Sequence, residues 1–495
     1  MKRAMLRRLT IPLVTIPPVP VATGDLPLRL GRDRVIIVQE NHASFMLNPF
    51  PSLMPPSPAL QFFWRTVYSF LILPLGLGLI WIAAFWRPKL RAGWVGRRGL
   101  WRRMEAGASS RDTARKLVWF HVASAGELLQ ALPVLRLMLD GGFQCALTVT
   151  SPSAIPWVLR ERERLPGLIV ADYLPLDFRR NARRLLRLLS PAALVYVKYD
   201  LWPNLVWEAG RAGVAQFLIS AALRPGSARE RSFAAGSFYA SLYRALSGIF
   251  TVNAEDRERY LRAAPSHPNI AVTGDTKYDM VLERQAELSP PPWAEVPATQ
   301  KWLVAGSTWP EDEARILAAL IAAMRGDRTL RSIIAPHEND GERMEGLEAA
   351  LREFSPLRLS ALEAGGSLPE RNRVILVDSV GRLAGLYRLA GIAYVGGGFG
   401  AGVHNVLEAA VMGAPVVFGP RHQNAPEAAA LLAAGGAFVV RDAKAFEETL
   451  TALLEHPARR EKAGAAAKAH VLANSGAAQT VWKRIRVHLD TGKAE

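Results

Sequence analysis

Residues 396–408 read Gly396-Gly-Gly-Phe-Gly-Ala-Gly-Val-His-Asn-Val-Leu-Glu408 and follow the apolar run Ile392–Val395. A buried strand that empties into a glycine-rich loop and then a helix is one βα unit of an α/β sheet. The spacing predicts a helix starting near His404 or Asn405. Its unpaired N–H groups and positive dipole end would lie beside the loop, where a phosphate is accepted without a lysine. Gly397, Gly398 and His404 are therefore donor-site candidates. Asn405 and Glu408 are three apart and share a helix face near the first turn. A carboxylate there can accept two hydrogen bonds from a ribose diol, so loop and acid together suggest a nucleotide-sugar pocket. The simpler alternative is an ordinary βα turn whose surface Glu favours the dipole. The same pattern runs on through Pro415-Val-Val-Phe-Gly-Pro-Arg-His-Gln-Asn-Ala-Pro-Glu427.

Working outward, short β-branched runs alternate with Ala/Leu/Arg-rich helical patterns from Leu117 onward. Strands are expected at Leu117–Val122, Gln144–Val149, Leu168–Tyr173, Ala193–Val197, Ala215–Ile219 and Ile249–Val252. A second series is expected at Trp302–Ala305, Ser332–Ala335, Val374–Val377, Ile392–Val395, Pro415–Phe418 and Ala437–Val440. Between them Ser289-Pro-Pro-Pro-Trp-Ala-Glu-Val-Pro297 has the composition of a linker. The reading is an N-terminal Rossmann-like α/β domain over 105–288, a linker over 289–298 and a C-terminal one over 299–495. In such sheets ligands bind outside the carboxyl ends of the strands.

The chain has 495 residues, half of them apolar, enough for two or three cored domains. Its formal net charge of +17 calls for an acidic partner: nucleic acid, anionic lipid or a phosphorylated substrate. A single cysteine, Cys145, excludes an intrachain disulfide framework and fits a reducing compartment. From Val67 to Phe85 no charge occurs, a span close to the roughly 20 residues that cross a bilayer. Arg87, Lys89, Arg91, Arg97, Arg98, Arg102 and Arg103 follow it, which predicts a cytoplasmic flank for a membrane anchor over 59–104. A buried core helix is the competing reading of the same run. Residues 1–58 are proline-broken and read as a disordered extension, with Met54 an alternative start.

Four further constellations fall at strand ends. In His121-Val-Ala-Ser-Ala-Gly-Glu127, Ser124 and Gly126 turn the chain and Glu127 opens the next helix. There Glu127 is either a cleft carboxylate or a first-turn acid serving the dipole, which would lower its pKa and keep it ionised at neutral pH. Lys198-Tyr-Asp-Leu-Trp-Pro-Asn204 gathers Lys198, Asp200 and Asn204, as an anionic-sugar contact or as a Lys198–Asp200 ion pair. Ser307 and Thr308, before Trp309-Pro310, form another phosphate-accepting turn, and Ala335-Pro-His-Glu338 offers His337. No His/Asp/Glu spacing reads as a metal site, and neither a Walker lysine nor a nucleic-acid motif occurs.

In this order, from about Phe62 to the C-terminus, the segments resemble the Kdo transferases, which add 3-deoxy-D-manno-octulosonic acid (Kdo) to lipid A precursor. The likeness is carried by the anchor, His121–Glu127, Tyr173-Leu-Pro-Leu-Asp177, Leu201-Trp-Pro-Asn204 and Arg229-Glu-Arg-Ser232. It continues through Gly274-Asp-Thr-Lys-Tyr-Asp279, Gly306-Ser-Thr308, Ala335–Glu338, Gly396–Glu408 and Phe418-Gly-Pro420. The resemblance implies a GT-B fold, two Rossmann-like domains facing a cleft, with CMP-Kdo in the C-terminal domain and the lipid in the N-terminal one. It implies metal-independent inverting transfer without a cofactor, at the cytoplasmic leaflet of the inner membrane. Glu127 matches the family's base, and Asn405 and Glu408 match its donor-site pair. Ser307, Thr308 and His337 fall where phosphate or nucleotide contacts are expected. The chain departs from the family pattern at Lys198 and Asp200, where two acids are usual. It departs again at Pro336-His337-Glu338 and at Gly398. A GT-B enzyme using another nucleotide sugar, and a catalytically silent membrane scaffold, stay open as alternatives.

Overall fold

The computed structural model describes residues 58–491 apart from 228, 230–231, 290, 292, 294–300 and 366–367. The extension expected over 1–58 lies outside them except for Pro58, as does most of the linker; its Trp293 is buried beside Trp302.

The first sheet is built from β1 (Leu117–Val122), β2 (Gln144–Val149), β3 (Leu168–Tyr173), β4 (Ala193–Val197), β5 (Ala215–Ala221), β6 (Gly248–Thr251) and β7 (Ile270–Val272). The second uses β8 (Lys301–Thr308), β9 (Leu330–Pro336), β10 (Leu357–Arg358), β11 (Val374–Leu376), β12 (Ile392–Val395), β13 (Val416–Phe418) and β14 (Ala437–Val439). Their orders are β3-β2-β1-β4-β5-β6-β7 and β10-β11-β9-β8-β12-β13-β14, with parallel pairing throughout. Helices cover both faces, which is why β1, β2 and β12 are unbroken runs of buried residues. The strand order reverses at β1/β4 and at β8/β12. The loops after these strands hold His121–Glu127, Lys198–Asp200, Ser307–Trp309 and Gly396–Glu408, so both switch points carry candidate residues.

The last helix, Ala477–Thr491, departs from the expected 299–495 domain. Its Val481, Ile485 and Leu489 pack with Val118, Phe120 and Phe217 of the first sheet. Asp279 fixes its start by accepting from the N–H groups of Gly476 (2.7 Å) and Ala478 (3.1 Å).

Helix runs unbroken from Pro58 to Ala83 through a π turn at Tyr68–Ile72. Pro74 has no N–H to give and crowds the carbonyl four residues back, and the ladder lengthens there: Leu73 N–H reaches Tyr68 O. Ala59–Ala83 is long and apolar enough to cross a membrane, with mean hydropathy 2.0. Its inner side is nonetheless tied to the first domain. Arg65 pairs with Glu208 at 2.9 Å, and Trp64 Nε1 donates to Ser237 Oγ at 3.1 Å. Tyr68 donates to Asp177 at 3.0 Å, and Ser69 to Asn204 Oδ1 at 2.8 Å. Phe70, Leu71, Leu75, Leu79, Trp81, Phe85 and Trp86 remain exposed.

The basic flank divides. Arg97 donates to the carbonyls of Gly93, Thr150 and Leu174 and stacks over Tyr173, and Arg103 grips Asp172 at 2.6 Å. These two arginines fasten the flank to the domain. Arg87, Lys89, Arg91, Arg98 and Arg102 are exposed, and among the described residues none makes an ion pair.

Candidate active site

A cleft of about 430 Å³ separates the two sheets' switch points. Gly126 and Lys198 line it from one side, and His404, Asn405 and Glu408 from the other, so five of the predicted residues meet there. Lys277 and Arg284, from the helix Lys277–Glu287, and Glu427 complete its charged lining.

Glu127 sits at the start of the helix Ala125–Asp140, capped by Ser124, whose Oγ accepts from Glu127 N–H at 3.4 Å. Its carboxylate folds back to accept from the N–H of Ala123, the residue before the N-cap, at 2.5 Å. At 5% exposure it is nearly out of water, and burial pushes its carboxyl above the usual range. The nearby Asp200 adds to that rise, while the Ala123 N–H, Lys198 and His121 oppose it. The expected dipole-lowered pKa is thus reversed: desolvation outweighs the helix end.

Asp200 does not pair with Lys198. Its Oδ2 accepts from His121 Nε2 at 3.1 Å and from Trp202 Nε1 at 3.2 Å. His121 is held from behind by Thr148 Oγ1 at 2.9 Å. Lys198 has a positive φ of 60°, a strained conformation for a side-chain-bearing residue, and among the described residues no carboxylate lies within ion-pair distance of it. Asn204 is removed from the cleft: it is 1% exposed, donates to Asp177 O at 2.7 Å and accepts from the anchor's Ser69. Its amide joins the anchor to the domain.

In the C-terminal domain the glycines of the loop serve close packing. A Cβ on Gly396 would lie 2.2 Å from Ser307 O, and one on Gly398 would lie 2.6 Å from Gly419 N. Gly397, at φ 90°, gives its N–H to Asp312 at 2.8 Å. Gly397 and Gly398 are buried, so the loop is braced from within. Buried Asp312 also accepts from Trp309 N–H and Tyr394 OH. Thr308 is turned inward as well, its hydroxyl donating to Glu313 at 2.7 Å. Ser307 adopts φ 53° beside it. The helix after the loop is Leu407–Ala410 only, with Val406 as its N-cap; Asn405 Oδ1 accepts from Leu407 N–H at 3.1 Å. Four residues give little dipole, so the helix end alone offers little to a phosphate.

Three side chains form a stack here. His337 lies between Trp309 and His404, with ring centroids 4.6 and 4.5 Å away. Trp309 Nε1 donates to His404 Nε2 at 2.8 Å. An indole is donor only, so that imidazole accepts at Nε2 and, neutral, carries its proton on Nδ1. Burial, and then His337, hold its pKa below the usual value. Glu408 accepts from Arg284 Nη1 at 2.9 Å; burial raises its carboxyl, against Arg284 and Asn405. Lys277 joins Glu427 at 3.0 Å. Arg284 and Lys277, which line the cleft, and Trp309, which reaches it only through His404, were missed because only the folded topology brings these separate segments together.

Two parallel Rossmann-like sheets with facing switch points define the GT-B fold. A UDP-GlcNAc 2-epimerase from Neisseria meningitidis, solved bound to UDP-GlcNAc, shares the fold at 15% identity and TM-score 0.55, over 74% of this chain and 99% of that one. The family described as 3-deoxy-D-manno-octulosonic-acid transferase (kdotransferase) matches residues 93–280. The 3-deoxy-D-manno-octulosonic acid transferase of Bordetella pertussis is 31% identical over 83% of this chain and 96% of its own. That of Haemophilus influenzae is 27% identical over 86% and 99%. The chain belongs to the Kdo transferase family.

Proposed function

We propose that the chain moves Kdo from CMP-Kdo to a hydroxyl of lipid A precursor at the cytoplasmic face of the inner membrane. The observation that carries this is that Gly126, directly before the buried Glu127, lines the cleft opposite the His404–Asn405–Glu408 wall. Glu127 takes the proton from the acceptor hydroxyl as its oxygen attacks the anomeric carbon, and CMP leaves from the opposite side. His404 and His337 stabilise the phosphate as charge develops. Glu408 holds the ribose diol, sharing or displacing Arg284, and Lys198 takes an anionic group of sugar or acceptor. Incubation with CMP-Kdo and lipid A precursor, read by mass spectrometry, tests the reading; product lacking a Kdo mass increment rejects it.

Donor identity has its own expected result. CMP at a hundred times its Kd should stabilise the fold by about 2.7 kcal/mol, seen as a raised melting temperature, whereas UDP should leave it in place. The reverse pattern would assign the cleft to a uridylate donor.

Membrane docking rests on the exposed apolar side of the anchor and the unpaired cations behind it. Changing Arg87, Arg91, Arg98 and Arg102 to glutamine should weaken binding to anionic vesicles by about 1 kcal/mol per charge at low salt. The circular dichroism should not change. Equal binding by the variant and the parent would remove these residues from docking.

A further inference from the structure

A second pocket, of about 440 Å³, lies away from the cleft, between the anchor and the first domain. This is within the roughly 300–1,000 Å³ of small-molecule sites. Ile72, Gly76 and Ile80, one helical face at i, i+4 and i+8, make one wall. Leu90 and Trp94 of the helix Pro88–Gly96 make another, and Leu174 to Leu176 after β3 form the floor. Polar groups in the lining are mostly engaged: Asp177 by Tyr68, Asn204 and Leu205, and Arg97 by three carbonyls. The exposed Lys89 is left as a cationic lip beside Arg87 and Arg91.

We propose that this pocket holds an acyl chain of the phosphorylated lipid acceptor. The inference rests on the transfer reading above and adds a subsite to it. Three observations select that occupant. The walls are apolar while the lip is cationic, which matches an acyl chain joined to an anionic head. The pocket opens beside the anchor's exposed apolar side, so a lipid can enter from the bilayer without crossing water. Trp202 lines the pocket with its ring while its Nε1 donates to Asp200, which is paired with His121 near Glu127. These contacts join the pocket wall to the strand end that carries the proposed base.

Gly76 gives a direct test. A Cβ there meets nothing within 4 Å, so a side chain can start from this pocket-lining position without a clash at its first carbon. Gly78, equally open, does not line it and serves as the control. Transfer from CMP-Kdo is measured to the acylated acceptor and to the same glycan phosphate with its acyl chains hydrolysed off. In Gly76→Leu the kcat/KM ratio of acylated to stripped acceptor should fall about tenfold, the equivalent of roughly two methylenes expelled. Gly76→Ala should give a smaller fall, and Gly78→Leu none; melting temperatures confirm that each variant is folded. An unchanged ratio in folded Gly76→Leu and Gly76→Ala overturns the acyl site and leaves the transfer reading intact. An equal fall in Gly78→Leu assigns the effect to the anchor's membrane contact and also overturns it. Wild-type chain that transfers to neither acceptor overturns the transfer reading and this one with it.

Discussion

Replacing Glu127 by glutamine is expected to lower kcat by about 10²–10⁴-fold, the range for loss of a general base, while the fold stays in place. The glutamine oxygen can still accept from Ala123 N–H, so the capping contact survives and only the basicity is removed. Glu127→Ala removes both, and should add a stability loss of about 0.5–2 kcal/mol to the same fall in turnover. The pair separates two roles that one carboxylate combines. If Glu127 only capped the helix, glutamine would leave turnover near wild type and alanine alone would do damage. The acid side of the pH profile gives an independent reading. A base must be deprotonated, so kcat/KM should decline as pH falls through the Glu127 pKa, and burial places that limb above the ordinary glutamate value of 4.5. The residual rate of the glutamine variant should lack the limb. A limb at or below the ordinary value would mean that water reaches the carboxylate freely.

The strands that carry the site were legible because parallel sheets bury both faces, so their sequences are continuous apolar runs that no helix period mimics. β1, β2, β3, β4 and β12 fall at the expected residues. β7, with only its first residue buried, and β10, with two half-buried residues, left no such run. The candidate site was legible by position and less so by chemistry. Strand ends locate Glu127, Lys198, His404 and Glu408, since ligands gather at the switch points. Which of their neighbours face the cleft depends on pairing between distant segments. Asn204, Thr308 and Gly397 stand in the right loops, yet their polar groups are taken by Asp177, Glu313 and Asp312. Asp312 itself looked like one more first-turn acid, because nothing in Glu311-Asp312-Glu313 says which of the three turns inward. The expected Lys198–Asp200 pair failed for a related reason: a histidine from β1 lies closer to Asp200 than its own sequence neighbour does.

Asp177→Ala is expected to cost on the order of 3–6 kcal/mol of stability, and to release the anchor's grip on the first domain. The carboxylate, 4% exposed, accepts from Tyr68 OH (3.0 Å), Asn204 N–H (2.9 Å) and Leu205 N–H (2.9 Å). Alanine leaves these three buried donors without partners, at about 1–3 kcal/mol each, partly relieved where water can enter from the pocket alongside. Two of the donors are first-turn groups of the helix Pro203–Arg211, so its start should fray and proteolysis near Trp202 should quicken. The pH dependence carries a definite sign. Burial pushes the Asp177 carboxyl from 3.8 up to about 7, against the three hydrogen bonds. A raised folded-state pKa means that the group's stabilising contribution is complete below the unfolded value and is lost as pH climbs through about 7. At roughly 1.4 kcal/mol per pH unit this is on the order of 4 kcal/mol across the interval. Asp177→Asn, which cannot ionise, should lack the dependence. The melting temperature of wild type relative to Asp177→Asn should therefore stand highest below about pH 4 and decline from there toward neutral pH. A relative melting temperature that rises with pH instead would show that the three donors outweigh desolvation. The anchor would then be clipped to the domain by a fixed charge, held through the same range in which Glu127 must shed its proton to work.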